Sequence, residues 1–276
     1  MRIGFIGHLS LDTNVVGDVL QQGRGGGSFY GAAAASRLGA DAAVYTKCAV
    51  ADRAGFAQAL GDGVALAAFP SPRSTAFRND YPGDDPDQRI TTALSLADPF
   101  TAVELAAIQA DVIHVNPLWH GEFPPALLPA AREHVVTLAA DAQGFVRRVA
   151  GDGRTYHEDW ADKETYLPLL DLLKVDHSEA ITITGLDDIH AAAATLVQLG
   201  ASAVLLTHRQ GLLAQEGDQV AEAPFGSYPL IGRTGRGDTA TAAFLVARET
   251  RDLGAAVRYA AQVTTAKMQY PGPYKG

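Results

Sequence analysis

Short apolar runs alternate with segments of helical spacing along almost the whole chain. Residues 3–6, 42–45, 112–115, 135–138, 172–175 and 203–206 are such runs, the pattern of strands covered on both faces of a sheet. Between several of them, residues 30–38, 103–109, 126–132 and 189–199 repeat their apolar positions every three or four residues. Two further helices are expected at 238–249 and 253–267. Strand and helix in alternation predict an α/β fold, a mostly parallel central sheet between two helical layers. No linker or internal repeat divides it, so residues 1–276 read as one domain. One region breaks the rhythm. Residues 73–81 and 88–96 are β-prone around a Pro/Gly/Asp-rich turn, which predicts a β-hairpin over about 73–96.

Candidate chemistry concentrates in Gly232-Arg233-Thr234-Gly235-Arg236-Gly237-Asp238-Thr239, followed by a small, apolar run. Gly235 and Gly237 allow a tight turn whose N–H groups approach a ligand closely. A helix starting at Gly237 or Asp238 turns its positive end on the same point, making an anion hole. A carboxylate beside that hole is unfavourable for anion binding unless it acts chemically. Asp238 is placed to take a proton from a hydroxyl that attacks a bound phosphoryl group. The alternative is that Asp238 only N-caps a helix after a glycine turn.

Composition narrows the setting. Of 276 residues, 47% are hydrophobic and 19% charged, ordinary for an enzyme with a well-buried core. The net charge of −9 disfavours a nucleic-acid partner, because phosphate polymers are bound by Lys/Arg clusters that this chain lacks. The lone cysteine, Cys48, excludes an internal disulfide and is expected to pack at a strand end. The N-terminal segment is too short and Gly-broken for a signal peptide, and no apolar run approaches the ~20 residues of a membrane span. The expectation is a soluble cytoplasmic protein with no membrane partner.

Thr234-Gly235-Arg236-Gly237-Asp238-Thr239 with its small-residue helix resembles the C-terminal signature of the ribokinase-like (PfkB) carbohydrate kinase family, usually D-T-x-G-A-G-D, whose last Asp is the catalytic base. Gly25-Gly26-Gly27-Ser28-Phe29-Tyr30-Gly31-Ala32, running into Arg37-Leu38-Gly39, is similar to the family's G-G-x-x-x-N-x-A…R-L-G. The resemblance implies the ribokinase-like three-layer fold with a small β lid, which in the family is often a homodimer interface. It implies an ATP-dependent kinase acting on a small polyol, with Mg²⁺. Asp238 would be the base, with Gly235, Arg236 and Gly237 forming the anion hole. Asp176 and Glu179, similar to the family's N-x-x-E, would organise the Mg²⁺ water shell, or else simply cap a helix. Thr207 and Gly211, similar to T-x-G-x-x-G without its first Gly, would border the nucleotide together with Thr234 and Thr264. There is no G-x-x-x-x-G-K-[ST], which disfavours a P-loop enzyme.

For the acceptor, the resemblance points to Asp12, Gly25, Gly26, Tyr30, and Phe77 and Arg89 of the lid. Asp141 joins them through Asp141-Ala142-Gln143-Gly144-Phe145-Val146-Arg147, similar to a D-x-Q-G-x-x-R form of the sugar- and inositol-kinase-like subgroup. Three departures matter. Tyr30 stands where the family carries a sugar-binding Asn, so ribose bound in the usual way is not expected. Arg236 replaces the usual Ala, and Gly232 stands where many relatives carry Asp, which puts a monovalent-cation site there in doubt. The expected substrate is a neutral, hydroxyl-rich ring, a sugar or a cyclitol such as myo-inositol. The alternatives are a nucleoside acceptor and a catalytically inactive ligand-binding relative. A nucleotide-binding oxidoreductase is disfavoured, because Gly4-Phe5-Ile6-Gly7 lacks the third Gly of G-x-G-x-x-G.

Overall fold

A computed structural model of the chain describes residues 1–82, 89–227 and 231–276. Its strands are β1 (Arg2–Ile6), β2 (Ser10–Val16), β3 (Val19–Gly25), β4 (Asp41–Cys48), β5 (Val64–Pro70), β6 (Thr75–Tyr81) and β7 (Ile90–Ser95). They continue with β8 (Val112–Val115), β9 (Thr137–Asp141), β10 (Arg147–Val149), β11 (Thr155–His157), β12 (Leu172–Asp176), β13 (Ala203–Thr207), β14 (Gly211–Glu216) and β15 (Gln219–Pro224). The helices are α1 (Gly27–Arg37), α2 (Arg53–Leu60), α3 (Ala102–Leu105), α4 (Leu128–Glu133) and α5 (Gln143–Val146). The last five are α6 (Lys163–Tyr166), α7 (His177–Thr184), α8 (Ile189–Gln198), α9 (Arg236–Arg248) and α10 (Leu253–Met268).

Nine strands form the central sheet in the order β15-β14-β13-β12-β9-β8-β1-β4-β5. From β13 to β5 every neighbouring pair is parallel, while β14 and β15 add on antiparallel. Strand residues alternate between two apolar layers. Ile3 and Phe5 of β1, with Leu205 of β13, pack among α1, α9 and α10. Ile6, with Val204 and Leu206, packs on the opposite face with residues of α4, α7 and α8. The helices approach closely because they are built of small residues. A methyl group at Gly31 of α1 would lie 2.7 Å from the Phe5 ring.

Parallel strands end at the same sheet edge, so the residues after β1, β8, β9, β12 and β13 converge there. The chain leaves β1 toward β4 on one side and returns to β8 on the other. The β1/β8 boundary is therefore a topological switch point, where α/β sheets open a crevice at the strand C-termini. A second sheet, β3-β2-β6-β7, covers this edge. The expected hairpin is present as the antiparallel pair β6–β7, but it is half of the lid. The other half is β2–β3, which joins through the parallel β2–β6 pair. Residues 10–25 carry Asp, Asn, Gln and Gly, and six of the seven β3 residues are exposed, so no apolar run marks them as strands. Residues 83–88 of the expected turn, with Gln88 of its second strand, lie outside the described residues.

Other differences have local causes. The strand expected at 135–138 begins at Thr137, because Val136 is an exposed approach residue. The helix expected at 103–109 shortens to α3, which Thr101 and Glu104 cap reciprocally. The edge strand β5 is Ala-rich and ends on Pro70, so its β signal is weak. Cys48 is buried at the end of β4, as expected.

A buried carboxyl ties the lid-side loops to the sheet. Glu122 Oε1 accepts the His8 N–H at 2.6 Å and Oε2 accepts the Leu118 N–H at 2.9 Å. Burial pushes its pKa up to about 8. His8, held neutral by burial, shares Thr75 Oγ1 of β6 at 2.9 Å. Glu122→Ala leaves two buried amides without an acceptor, each costing about 1–3 kcal/mol. The urea midpoint is expected to fall clearly, and an unchanged midpoint would show that these loops do not depend on Glu122.

Candidate active site

Helix α9 opens at Gly235, whose φ of 82° is left-handed and which provides no capping side chain. Gly235 is also required sterically, since a methyl there would lie 2.3 Å from the Tyr30 ring. The expected anion hole changes in one respect. The Arg236 N–H closes a turn onto the Arg233 carbonyl at 3.2 Å, so it belongs to the loop rather than to a ligand. The Arg236 guanidinium lies 5.9 Å from the centroid of the Phe225 ring. Asp238 is the acidic residue of the first turn of α9.

Asp238 is held from the switch point. Asn116, the residue after β8, donates from Nδ2 to Asp238 Oδ1 at 3.1 Å. Gly27 at the start of α1 leaves room for that amide, because a methyl on Gly27 would lie 2.0 Å from Asn116 Oδ1. Burial raises the pKa of Asp238, and the neighbouring Asp141 raises it further; Lys174 and the Asn116 hydrogen bond work in the opposite direction. Opposed influences on a buried carboxylate in a cleft are the pattern expected of a group that exchanges a proton.

Beneath the loop lies a buried ionic cluster. Lys174 Nζ is 3.2 Å from Asp141 Oδ2 and 3.6 Å from Glu179 Oε2. Burial opposes the Lys174 charge, but Asp141, Glu179 and Asp176 outweigh it and hold the ammonium above its ordinary range. Glu179, the more distant partner, is pushed up by burial and by Asp176. A methyl at Gly237 would lie 2.9 Å from Lys174 Cε, so this glycine lets the lysine reach the underside of the helix start.

The predicted metal pair takes the capping arrangement. Asp176 Oδ1 accepts the Glu179 N–H at 2.8 Å, and Glu179 Oε2 accepts the Asp176 N–H at 2.8 Å. Glu179 is buried and committed. The hydrogen bonds of Asp176 all fall on Oδ1, so Asp176 is the member of the pair that fits a water-shelled Mg²⁺.

The acceptor residues do assemble, though not all in the expected roles. Asp12 of β2, Phe77 of β6 and Ala93 of β7 share one row of the lid. Asp12 Oδ1 is buried without a partner, and burial raises the carboxyl pKa while Ser10, Arg89 and Arg147 pull it down. Burial, Asp12 and Asp238 together raise the Tyr30 phenol, so Tyr30 lies within electrostatic reach of both the lid carboxylate and Asp238. Gly25 and Gly26 serve the protein itself: methyl groups there would lie 2.2 Å from Asp12 Oδ2 and 2.5 Å from the His8 carbonyl. Asp141, expected at the acceptor, is buried on Lys174 and the Gln143 N–H, so it positions the lysine.

Of the expected nucleotide residues, Thr207 is buried at the end of β13 and Thr234 is exposed. Gly211 begins β14, where a methyl would lie 2.4 Å from the Ala223 carbonyl, so it is needed for strand pairing. Thr264 is fully buried, and its hydroxyl donates to the Ala260 carbonyl at 2.7 Å. It offers no group to a nucleotide. Sequence reasoning missed Asn116 and Lys174. The available signals were a polar residue directly after an apolar strand, and a lone lysine inside one.

An uncapped helix start, a carboxylate at its mouth and a lidded polar cleft define a phosphotransferase acting on a small hydroxyl compound. Residues 83–276 match the profile of the pfkB family carbohydrate kinases. Similar solved structures include a pyrophosphate-dependent kinase in the ribokinase family bound to sulfate, 44% identical over 99% of this chain and 97% of that one, with TM-score 0.94. Another is such a kinase with a pyrophosphate analog and myo-inositol, 43% identical over 99% and 97% of the two chains, TM-score 0.93. A ribokinase of Arabidopsis thaliana, 19% identical over 99% and 94%, shares the fold at TM-score 0.78. No curated protein matches the chain. The chain belongs to the PfkB (ribokinase-like) family of carbohydrate kinases.

Asp238→Asn is expected to keep the fold, checked by circular dichroism, and to cut kcat by at least about a hundredfold. Turnover close to wild type would remove Asp238 from the role of base.

Proposed function

We propose that this chain is a pyrophosphate-dependent myo-inositol kinase, transferring a phosphoryl group from inorganic pyrophosphate to one hydroxyl of the cyclitol. The observation that carries the reading is Asp238 at the open start of α9, held by Asn116 at 3.1 Å, with Lys174 beneath and the lid carboxylate Asp12 across the cleft. Asp238 takes the proton from the inositol hydroxyl as its oxygen bonds to phosphorus. The bridging P–O bond breaks and phosphate leaves. The Gly235 and Gly237 amides and the positive end of α9 stabilise the charge on the transferring group.

The donor end favours an inorganic anion over a nucleotide. The Phe225 ring, an apolar face suited to a base, carries the Arg236 guanidinium, and the Thr264 hydroxyl is turned into its helix. His208, its pKa lowered by burial, lies within electrostatic reach of Glu222 as well as Arg236, so the surroundings of Arg236 are charged and polar rather than the flat apolar slot a nucleoside needs. The relatives described as pyrophosphate-dependent, at 43–44% identity, support the same donor. Mg²⁺ carried with the donor would withdraw charge from the phosphates, with Asp176 as its protein contact.

At the acceptor end, Asp12 offers a carboxylate to ring hydroxyls. The next row on the same lid face contains Asn14, Asn79 and Thr91, with Asn79 Nδ2 donating to Asn14 Oδ1 at 3.1 Å and Thr91 Oγ1 donating to Asn79 Oδ1 at 3.0 Å. These groups suit a neutral ring with hydroxyls on every carbon.

The test supplies purified chain with myo-inositol and either pyrophosphate or ATP, following product by ³¹P NMR. Inositol monophosphate with a higher kcat/KM for pyrophosphate is expected. A higher kcat/KM for ATP would overturn the donor, and phosphorylation of a nucleoside in preference to inositol would overturn the acceptor.

A further inference from the structure

Lys267, in the last turn of α10, is fully buried, and among the described residues no carboxylate lies within ion-pair distance of it. A buried ammonium is costly unless its donors are satisfied. Here they meet backbone. Nζ donates to the Gly232 carbonyl at 2.6 Å and to the Thr234 carbonyl at 2.5 Å, and lies 5.6 Å from the Tyr30 ring centroid. Burial lowers its pKa to about 8, and Asp238 is the charged group that counters this.

Both carbonyls belong to the loop that leads into α9. The described chain has no cis peptide bond, and in a trans peptide the C=O of one residue and the N–H of the next point in opposite directions. Turning the Thr234 carbonyl onto Lys267 therefore aims the Gly235 N–H away from the lysine. The Gly232 carbonyl fixes the Arg233 amide in the same way. The segment is pinned further by the Ile231 and Gly232 amides, which donate to the Met268 carbonyl at 3.2 and 3.0 Å. An ammonium held by backbone carbonyls does what a free monovalent cation does in a carbonyl cage, but it is tethered.

We propose that Lys267 is a positioning residue for phosphoryl transfer: a tethered internal cation that shapes the 232–235 loop and aims the Gly235 amide at the donor phosphate. The proposal rests on the phosphotransferase reading above. It has two consequences. The wild-type enzyme needs no added monovalent cation, and a small ammonium ion replaces the lost group when Lys267 is truncated.

The test compares wild type, Lys267→Ala and Lys267→Met in full-length protein at matched ionic strength, with tetramethylammonium as the background cation. Turnover with myo-inositol is measured alongside calorimetric binding of inorganic pyrophosphate and of ATP. Wild type is expected to be indifferent to added K⁺, Na⁺ or methylammonium. Lys267→Ala is expected to lose about a hundredfold in kcat, the scale of a misaimed oxyanion donor, and to regain part of it with methylammonium but not with tetramethylammonium. Lys267→Met keeps the length of the side chain and its packing, so it separates loss of charge from loss of fold. Its expected result is weak anion binding in a protein that stays folded by circular dichroism, with a lower melting temperature because two carbonyls lose their donor. A wild type that requires a monovalent cation would overturn the proposal whatever the variants do. So would a folded variant that binds and turns over like wild type, or an Ala variant that methylammonium leaves unimproved. Failure of wild type to phosphorylate inositol from either donor would instead count against the function proposed above, and the pyrophosphate-binding arm would still test Lys267.

Discussion

The site depends on how three carboxylates and one lysine share a buried space at the ends of β9 and β12. Asp141 and Glu179 hold the Lys174 ammonium, and that ammonium sits under the start of α9, where Gly237 gives it room. Without it, Asp141 and Asp238 would face each other as like charges in a poorly solvated place. With it, Asp238 keeps a pKa that is raised by burial and by Asp141, yet restrained by Lys174 and Asn116. The carboxylates expected to contact metal and acceptor thus do electrostatic work first. Asp141 and Glu179 support the charge of the lysine, and the lysine lowers the pKa of Asp238.

The same economy shapes the donor end. The loop before α9 is fixed from one side by Lys267 and from the other by Tyr30, whose ring packs where any side chain at residue 235 would stand. Tyr30 therefore links the acceptor side to the anion hole. A sequence that replaces the sugar-binding amide with a phenol has changed the loop support as well as the substrate contact. Arg236 over Phe225 extends this outward, placing a guanidinium on an aromatic face next to the start of α9.

Much of this was legible in the sequence because it rests on local backbone demands. Gly235, Gly237 and Asp238 announce a helix start built for an anion, and the apolar runs reveal the parallel sheet. The lid was half legible. β6 and β7 have strand-like composition, whereas β2 and β3 are polar edge material whose pairing depends on the sheet they join. Asn116 and the pairing of Lys174 were not legible, because each matters through a partner more than a hundred residues away or through strand order. The capping-box alternative for Asp176 and Glu179 is the arrangement present, since a helix N-terminus satisfies both carboxylates locally before any ligand arrives.

On the proposed function Asp238 is the base, and its neighbours set its affinity for the proton. The most direct measurement is the acid limb of the kcat/KM profile for the acceptor, in wild type and in Asp141→Asn. The base must be ionised to act, and burial and Asp141 both raise its pKa, so the wild-type limb is expected above the ordinary carboxylate range of about 4. Removing the Asp141 charge takes away a raising influence and frees Lys174 to act on Asp238, so the limb is expected to move to lower pH. A wild-type limb at the ordinary carboxylate value, or a limb that stays in place in Asp141→Asn, would contradict the account.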